Sequence, residues 1–383
     1  MRRRAGASRR ATAVRIAFFG SYDPAYPRVR VFREGLEARG VEVRDLHAAP
    51  RLAPVLRAAA LCGAWMARGK GLDALLVPAF GHRDVALASL LGRLAGIPVV
   101  FDPLVSRWDT QVGDLGRVRA GSVSAARMRW SDRASMRLAD GLLCDTWEHA
   151  DFFTTAMGVP RRKMTRVPVG ADAETFARGA GRPPRAEGPP LDVVYVGGFL
   201  PLHGLPAIVE AAAIVEARRG PGFARFTLLG GGMLAHRVAR DVASLGLRSV
   251  RLVGRKPYSE AMELLAGADL ALGIFGVTEK AARVVPHKVF QALALGVPTI
   301  TRRSPAIAEF FREGEHVTLV PPGDGAALAA AIEVLAADPE RRERMGRAGR
   351  EAAREAGEPS RLGSLLVDAV TRARDATAPR ISR

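Results

Sequence analysis

Short apolar runs alternate with helix-length amphipathic stretches from residue 14 onward, halt at a Pro- and Gly-rich segment, and then resume. VRIAFFG (14–20), VEVRDL (41–46), LDALLVPA (72–79), IPVVFDP (97–103) and GLLCDT (141–146) have the length and β-branched or aromatic content of buried strands. Strands separated by helices in one sheet must run parallel, because a hairpin cannot join them. ADAETFARGAGRPPRAEGPP (171–190) breaks the pattern. LDVVYVGG (191–198), ARFTLLGGG (224–232), VRLVG (250–254), ADLALGIF (268–275), PTIT (298–301) and HVTLVPPGD (316–324) then repeat it. The expected fold is α/β, with two doubly wound, Rossmann-like domains facing each other across a cleft. The expected boundaries are a disordered basic tail over 1–12, a first domain over 13–172, a linker over 173–190, a second domain over 191–358, and a C-terminal helix and tail over 359–383 that packs back on the first domain.

The chain has 383 residues, enough for two separate cores, with 48% hydrophobic and 25% charged residues. Two cysteines, Cys62 and Cys144, have no metal-site or disulfide spacing and fit a reducing compartment. No long uncharged apolar run predicts a membrane span. The net charge is +18. Nucleic-acid binding is not expected, since the cations are not interleaved with aromatic residues in any recognisable motif. RLAPVLRAAALCGAWMARGK (51–70) sets Val55, Leu56, Trp65 and Met66 beside Arg51, Arg57, Arg68 and Lys70. ARMRWSDRASMRLAD places Arg129, Arg133 and Arg137 on one stripe and Trp130, Ala134 and Leu138 on the next. Such faces suit an anionic membrane, so the expected location is cytoplasmic and peripheral at the inner membrane face.

RVVPHKVFQALALGVP (283–298) carries the main chemical signal. Val289, Phe290, Ala292, Leu293 and Leu295 ask for burial, Gly296 supplies a cap and Pro298 forbids continuation. His287, Lys288 and Gln291 cluster in the first turn and a half, where free N–H groups already concentrate positive charge. Cations added there repel that charge unless an anion sits between them. His287 and Lys288 are therefore expected to hold a diphosphate, with Gln291 pairing ribose hydroxyls. Lys280, Arg283 and Arg255 add positive charge, and His203 contacts phosphate if protonated.

Ligands of open α/β sheets bind beyond the carboxyl ends of the strands. That rule selects Gly20, Asp23 and Arg28 after the first strand as residues of the cleft. It also selects His82, Asp102 and Asp109 as catalytic candidates on the same half, where a carboxylate can stabilise positive charge or orient a hydroxyl. Glu279 is a candidate for both a sugar contact and catalysis. GGGMLA (230–235), with Gly231, formally fits a dinucleotide fingerprint, but the acid expected after the next strand is missing in VRLVGRK.

YVGGFLPLHGLPAIVEAA, FTLLGGG, VRLVGRKPYSEAMELLAGADLALGIF, KVFQALALGVPTI and ADPERRERMGRAGREAA occur in the order found in family-4-like (group 1) glycosyltransferases of the GT-B fold, which the chain resembles over roughly 14–370. FFGSYDPAYPRVRVFREGLEARGVEV is similar to the amino-terminal region of some members. The resemblance implies sugar transfer from a nucleotide diphosphate donor to a glycan or lipid-linked acceptor in polysaccharide synthesis, with retention, no obligatory metal and no cofactor. The absence of a D-x-D pair agrees with the last expectation. The donor would occupy the second domain, near Gly198, Gly231 and the cations above, and Gly20, Asp23 and Arg28 in the first domain would be acceptor-binding. The family's Arg and Lys in the first glycine loop are replaced here by Gly198 and His203. Its two glutamates fall on Arg283 and Gln291, with Glu279 off register. A sugar-nucleotide epimerase and a non-catalytic, membrane-associated sugar-nucleotide-binding subunit are the alternatives.

Overall fold

The computed structural model describes residues 14–181, 188 and 190–377. Its first half runs β1 (Arg15–Gly20), α1 (Pro27–Ala38), β2 (Glu42–His47), α2 (Pro54–Arg68), β3 (Ala74–Val77), α3 (Val85–Ala95), β4 (Val99–Phe101), α4 (Val123–Leu138), β5 (Gly141–Cys144), α5 (Trp147–Met157), β6 (Met164–Arg166) and α6 (Ala173–Ala180). The second half runs β7 (Leu191–Gly198), α7 (Leu205–Arg219), β8 (Ala224–Gly231), α8 (Ala235–Ser244), β9 (Val250–Val253), α9 (Tyr258–Ala266), β10 (Leu270–Leu272), α10 (Glu279–Arg283), α11 (His287–Ala294), β11 (Thr299–Arg302), α12 (Pro305–Ala308), β12 (Thr318–Val320), α13 (Gly325–Ala336), α14 (Pro339–Gly357) and α15 (Pro359–Thr377).

Two six-stranded sheets result, ordered β2-β1-β3-β4-β5-β6 and β12-β11-β10-β7-β8-β9. Every strand pairing is parallel. Side-chain alternation along β1 feeds two cores: Ile16 and Phe18 pack with α1 and α15, whereas Ala17 and Phe19 pack with the layer containing α2, α3, α4 and α5. Strand order reverses beside β1 and beside β7, which places both switch points at the edges that carry ligands in such folds.

The final helix crosses back onto the first domain. There α15 packs on α1 with almost no separation, since a Cβ on Gly363 would collide with the Gly35 carbonyl and one on Gly35 with the Pro359 carbonyl. The segment expected to be a linker is a helix over its first eight residues: α6 starts on Asp172, whose carboxylate accepts from Thr175 N at 2.8 Å. Its Gly179 lies against the backbone of Ala294 and Leu295. The tail expected over 1–12 lies outside the described residues, as does most of the remaining linker.

Helix α11 runs through the second domain's inner layer, with Val289, Phe290 and Leu293 fully buried. Burying each such side chain contributes roughly 1.5–3 kcal/mol. That anchoring determines where its first turn, with Lys288, must sit.

Candidate active site between the domains

A cavity of about 710 Å³ opens between the carboxyl edges of the two sheets. Gly197, Gly198 and Gly231 form part of its floor, and Arg255, Lys280 and Lys288 line it. The first domain contributes Tyr26, Phe80, Leu104, Thr110 and Asp145. Contacts across the seam hold the halves together. Arg283 pairs with Asp109 at 2.9 Å, and Lys280 Nζ donates to Thr110 Oγ1 at 2.7 Å. Glu309 accepts from Trp147 N at 2.7 Å and Glu148 N at 3.1 Å, capping α5 from the opposite domain.

Lys288 is 8% exposed. Its ammonium donates to the Tyr195 hydroxyl at 2.6 Å and lies 3.8 Å from the centre of that ring. No carboxylate pairs with it among the described residues. Burial holds its pKa well below the ordinary 10.5. Gly197 adopts φ +150° at the end of β7, and a Cβ there would strike the Lys288 ammonium, so glycine alone admits the lysine beside the loop. A buried lysine beside a glycine loop and a helix N-terminus, with no carboxylate partner among the described residues, would gain its counter-charge from a bound anion.

Tyr195 extends the arrangement by donating to the Gly198 carbonyl at 2.7 Å, 2.9 Å from His203 Nδ1. His203 Nδ1 also contacts that carbonyl. Burial and the Lys288 charge hold the His203 pKa well below 6.5, so it is a neutral imidazole at neutral pH and not the protonated phosphate ligand expected. His287 also differs from expectation. Burial and the Arg28 charge lower its pKa to about 4, so it lines the cavity as a neutral ring. Its edge meets Tyr26, with ring centres 5.9 Å apart. Gln291 is buried and donates from Nε2 to the Tyr258 hydroxyl at 3.1 Å.

Residues expected at the acceptor and catalytic positions lie elsewhere. Asp102 and Arg28 are both fully buried and form a bidentate pair, with Nε–Oδ2 2.6 Å and Nη2–Oδ1 3.0 Å. Arg28 also donates to the carbonyls of Val167 and Pro168, tying β4 to the exit from β6. Neither side chain lines the cavity. Asp102→Ala is expected to cost about 3–5 kcal/mol of stability, because it strands a buried guanidinium. Urea unfolding checks this, and an unchanged midpoint would contradict the structural role.

His82 is buried against Phe101, with ring centres 5.0 Å apart and Nε2 4.0 Å from Asp132. Asp109 is engaged by Arg283, so both serve the seam and not the cavity lining. The Glu279 side chain is 93% exposed and pairs with Arg283 at 3.3 Å outside the cavity. Asp23 is exposed and accepts from Ala25 N. At Gly20, the absent side chain lets the Asp84 carboxylate reach Ser21 N at 2.8 Å.

Asp145 is the lining residue that sequence reasoning missed. It follows β5 directly and is, among the described residues, the one acidic side chain lining the cavity. Its Oδ1 accepts from His149 Nδ1 at 2.7 Å, one helical turn later. Thr146 caps the helix between them and donates to the Arg283 carbonyl across the seam. The strand-end rule that selected Asp102 also applies to GLLCDT, so the signal was present.

Two facing Rossmann-like domains, each built on a six-stranded parallel sheet, form the GT-B fold. Family models support this assignment over most of the chain: a glycosyl transferase 4-like domain matches residues 3–170 and a glycosyl transferase-like domain matches 209–359. Together these matches place the chain among the group 1 glycosyltransferases of the GT-B fold.

Among curated relatives, the putative colanic acid biosynthesis glycosyltransferase WcaL of Salmonella typhimurium is 30% identical over 180 residues, covering 46% of this chain and 43% of that protein. The amylovoran biosynthesis glycosyltransferase AmsK of Erwinia amylovora is 28% identical over 188 residues, covering 49% of this chain and 44% of its own. The chain thus spans less than half the length of these relatives. Among solved structures, Anabaena HepE in complex with UDP and glucose superposes with a TM-score of 0.68 at 13% identity, covering 94% of this chain and 100% of that one. Sucrose-phosphate synthase of Thermosynechococcus elongatus gives 0.67 at 18% identity, covering 93% and 98%.

Proposed function

We propose that the protein transfers a sugar from a nucleoside diphosphate donor to a glycan or lipid-linked acceptor in polysaccharide synthesis, with retention and without an obligatory metal. The carrying observation is the buried, carboxylate-free Lys288 at the first turn of α11. Lys288, Lys280 and Arg255 supply cationic charge to the departing diphosphate, and the α11 N-terminus adds its dipole. Gln291 and the Tyr258 hydroxyl offer paired hydrogen-bonding groups to the ribose. The neutral His203 and His287 shape the pocket without adding charge.

On the opposite wall, Asp145 is placed to orient the acceptor hydroxyl and to stabilise positive charge on the sugar carbon. As the bond to the diphosphate breaks, the nucleoside diphosphate leaves with its electron pair and the acceptor oxygen bonds to that carbon on the same face, so the configuration is kept. The hydroxyl proton passes to the Asp145 carboxylate, which His149 holds through Nδ1–H. Apolar Phe80, Leu104 and Val105 exclude water, which otherwise hydrolyses the donor. HepE is named in complex with UDP and glucose, and the curated relatives are named for polysaccharide synthesis, which supports both the donor class and the pathway class. We place the reaction at the cytoplasmic face of the membrane.

A panel of uridine, guanosine and adenosine diphosphate sugars, assayed for nucleoside diphosphate release and product anomeric configuration, tests the reading. Transfer with retention from one donor supports it, and no binding of any donor contradicts it. One further reading is a subunit that binds sugar nucleotides without transfer. It is favoured by Gly198 and His203 standing where the family has Arg and Lys. Binding without turnover on any acceptor would establish it.

A further inference from the structure

The first domain carries an outer face that its own core does not use. Of the fifteen residues of α2, only Leu61 is buried. Val55 is 79% exposed, Leu56 60% and Met66 84%. The outward faces of α3 and α4 continue the pattern, with Leu94 78%, Val123 76% and Trp130 72% exposed. These three helices cover the same side of the sheet, as their shared core with Phe19, Val77 and Phe101 shows. Helices α3 and α4 also pack against each other, so the three present their outward surfaces on one side of the domain.

The charge on this face has one sign. No glutamate occurs between Glu42 and Glu148. Every aspartate from Ala48 to Ala139 is buried or half-buried: Asp84 pairs with Arg57, Asp109 with Arg283 and Asp102 with Arg28, and Asp132 accepts from Ser106 and Trp108. Arg51, Arg68, Lys70, Arg93, Arg117 and Arg127 remain exposed. Large exposed apolar side chains set among unopposed cations do not suit water.

We propose that the α2–α3–α4 face docks on an anionic phospholipid bilayer, inserting Val55, Leu56, Met66 and Trp130 into the headgroup–acyl boundary while the cations meet lipid phosphates. Self-complementary pairing of two copies would bring like charges together, and nucleic acid offers no site for Leu94 or Met66. The first turns of α2 and α4 follow β2 and β4, so they lie toward the carboxyl edge from which the cavity opens. Docking holds that mouth near the bilayer. The inference rests on the proposed function only for the acceptor's location and stands on its own surface chemistry otherwise.

Full-length protein is floated with phosphatidylcholine vesicles and with vesicles that also contain phosphatidylglycerol. The expected result is binding to the anionic vesicles at low salt, released by added salt. Arg93→Glu/Arg127→Glu should lower partitioning at least about twentyfold, at about fivefold for each cation removed. Leu56→Ser/Met66→Ser should lower it about tenfold or more. All chains compared carry the same amino-terminal segment, so its cations cancel in the comparison.

Equal binding to pure phosphatidylcholine, unaltered partitioning in both variants, or a dimer in sedimentation that the Leu56→Ser/Met66→Ser variant dissolves would overturn the proposal. Nucleoside diphosphate affinity, measured without vesicles, should be the same in wild type and variants. Vesicle binding in a protein that binds no nucleotide would contradict the donor reading and leave the docking face standing.

Discussion

Lys288→Ala is expected to weaken nucleoside diphosphate binding about 10–150-fold, the loss of one charge-assisted contact, with affinity for the bare nucleoside changed less than about twofold. The selectivity follows from position. Lys288 enters at the first turn of α11, beside Gly197, and reaches no carboxylate, so its charge has only a ligand to meet. The same substitution should raise the thermal midpoint of the unliganded protein, because it removes an ammonium that burial disfavours.

The pH dependence has a definite sign. The folded pKa lies below the ordinary 10.5, so between the two values the unfolded chain binds the proton and the folded chain does not. Stability of the unliganded protein therefore rises with pH through that window, and this contribution flattens above 10.5. A bound diphosphate restores the proton, so binding weakens as pH rises from the unliganded value toward the liganded one and levels off above it. Calorimetry and thermal melts across pH read both effects, and equal losses for nucleoside and diphosphate would remove Lys288 from phosphate binding.

Asp145→Asn is expected to lower kcat about 10²–10³-fold, the size of effect for one group aimed at developing charge, with donor affinity retained. The amide keeps the size and a hydrogen-bonding oxygen for His149 but loses the charge, so the helix cap on Thr146 stays in place. His149→Gln, which keeps a donor but not an imidazole, should lower kcat less, with donor affinity retained. A purely structural role would instead lower stability in step with activity. An unchanged kcat in Asp145→Asn would remove the carboxylate from the reaction.

Both sheets were legible because Phe18/Phe19 and Val193/Val194 belong to uniform apolar runs that only a covered parallel sheet can bury. The three-residue β6 was not legible. Met164–Arg166 follows Arg161, Arg162 and Lys163 and has too few residues to show a period. Helix α6 was hidden by the Gly and Pro residues that follow it.

On the donor side, the repulsive logic of Pro286-His287-Lys288 located a cavity wall because it concerns one helix end and needs no knowledge of neighbours. On the acceptor side, the strand-end rule could not separate Asp102 from Asp145. Both follow strands, but Arg28 rises from α1 to claim the first, while the second faces the gap. That difference belongs to tertiary packing, as does the role of Tyr195, a strand residue whose hydroxyl meets both the Gly198 carbonyl and Lys288.

The central claim is that the buried Lys288 side chain meets a diphosphate between the domains and is protonated when it does. Titration calorimetry of uridine, guanosine and adenosine diphosphates and their nucleosides, at mildly alkaline pH and in two buffers of different ionisation enthalpy, tests it most directly. The expected result is tight binding of one diphosphate with proton uptake by the wild type, and uptake lost in Lys288→Ala. Equal affinity for that diphosphate and its nucleoside, with the same proton balance in both proteins, would contradict it.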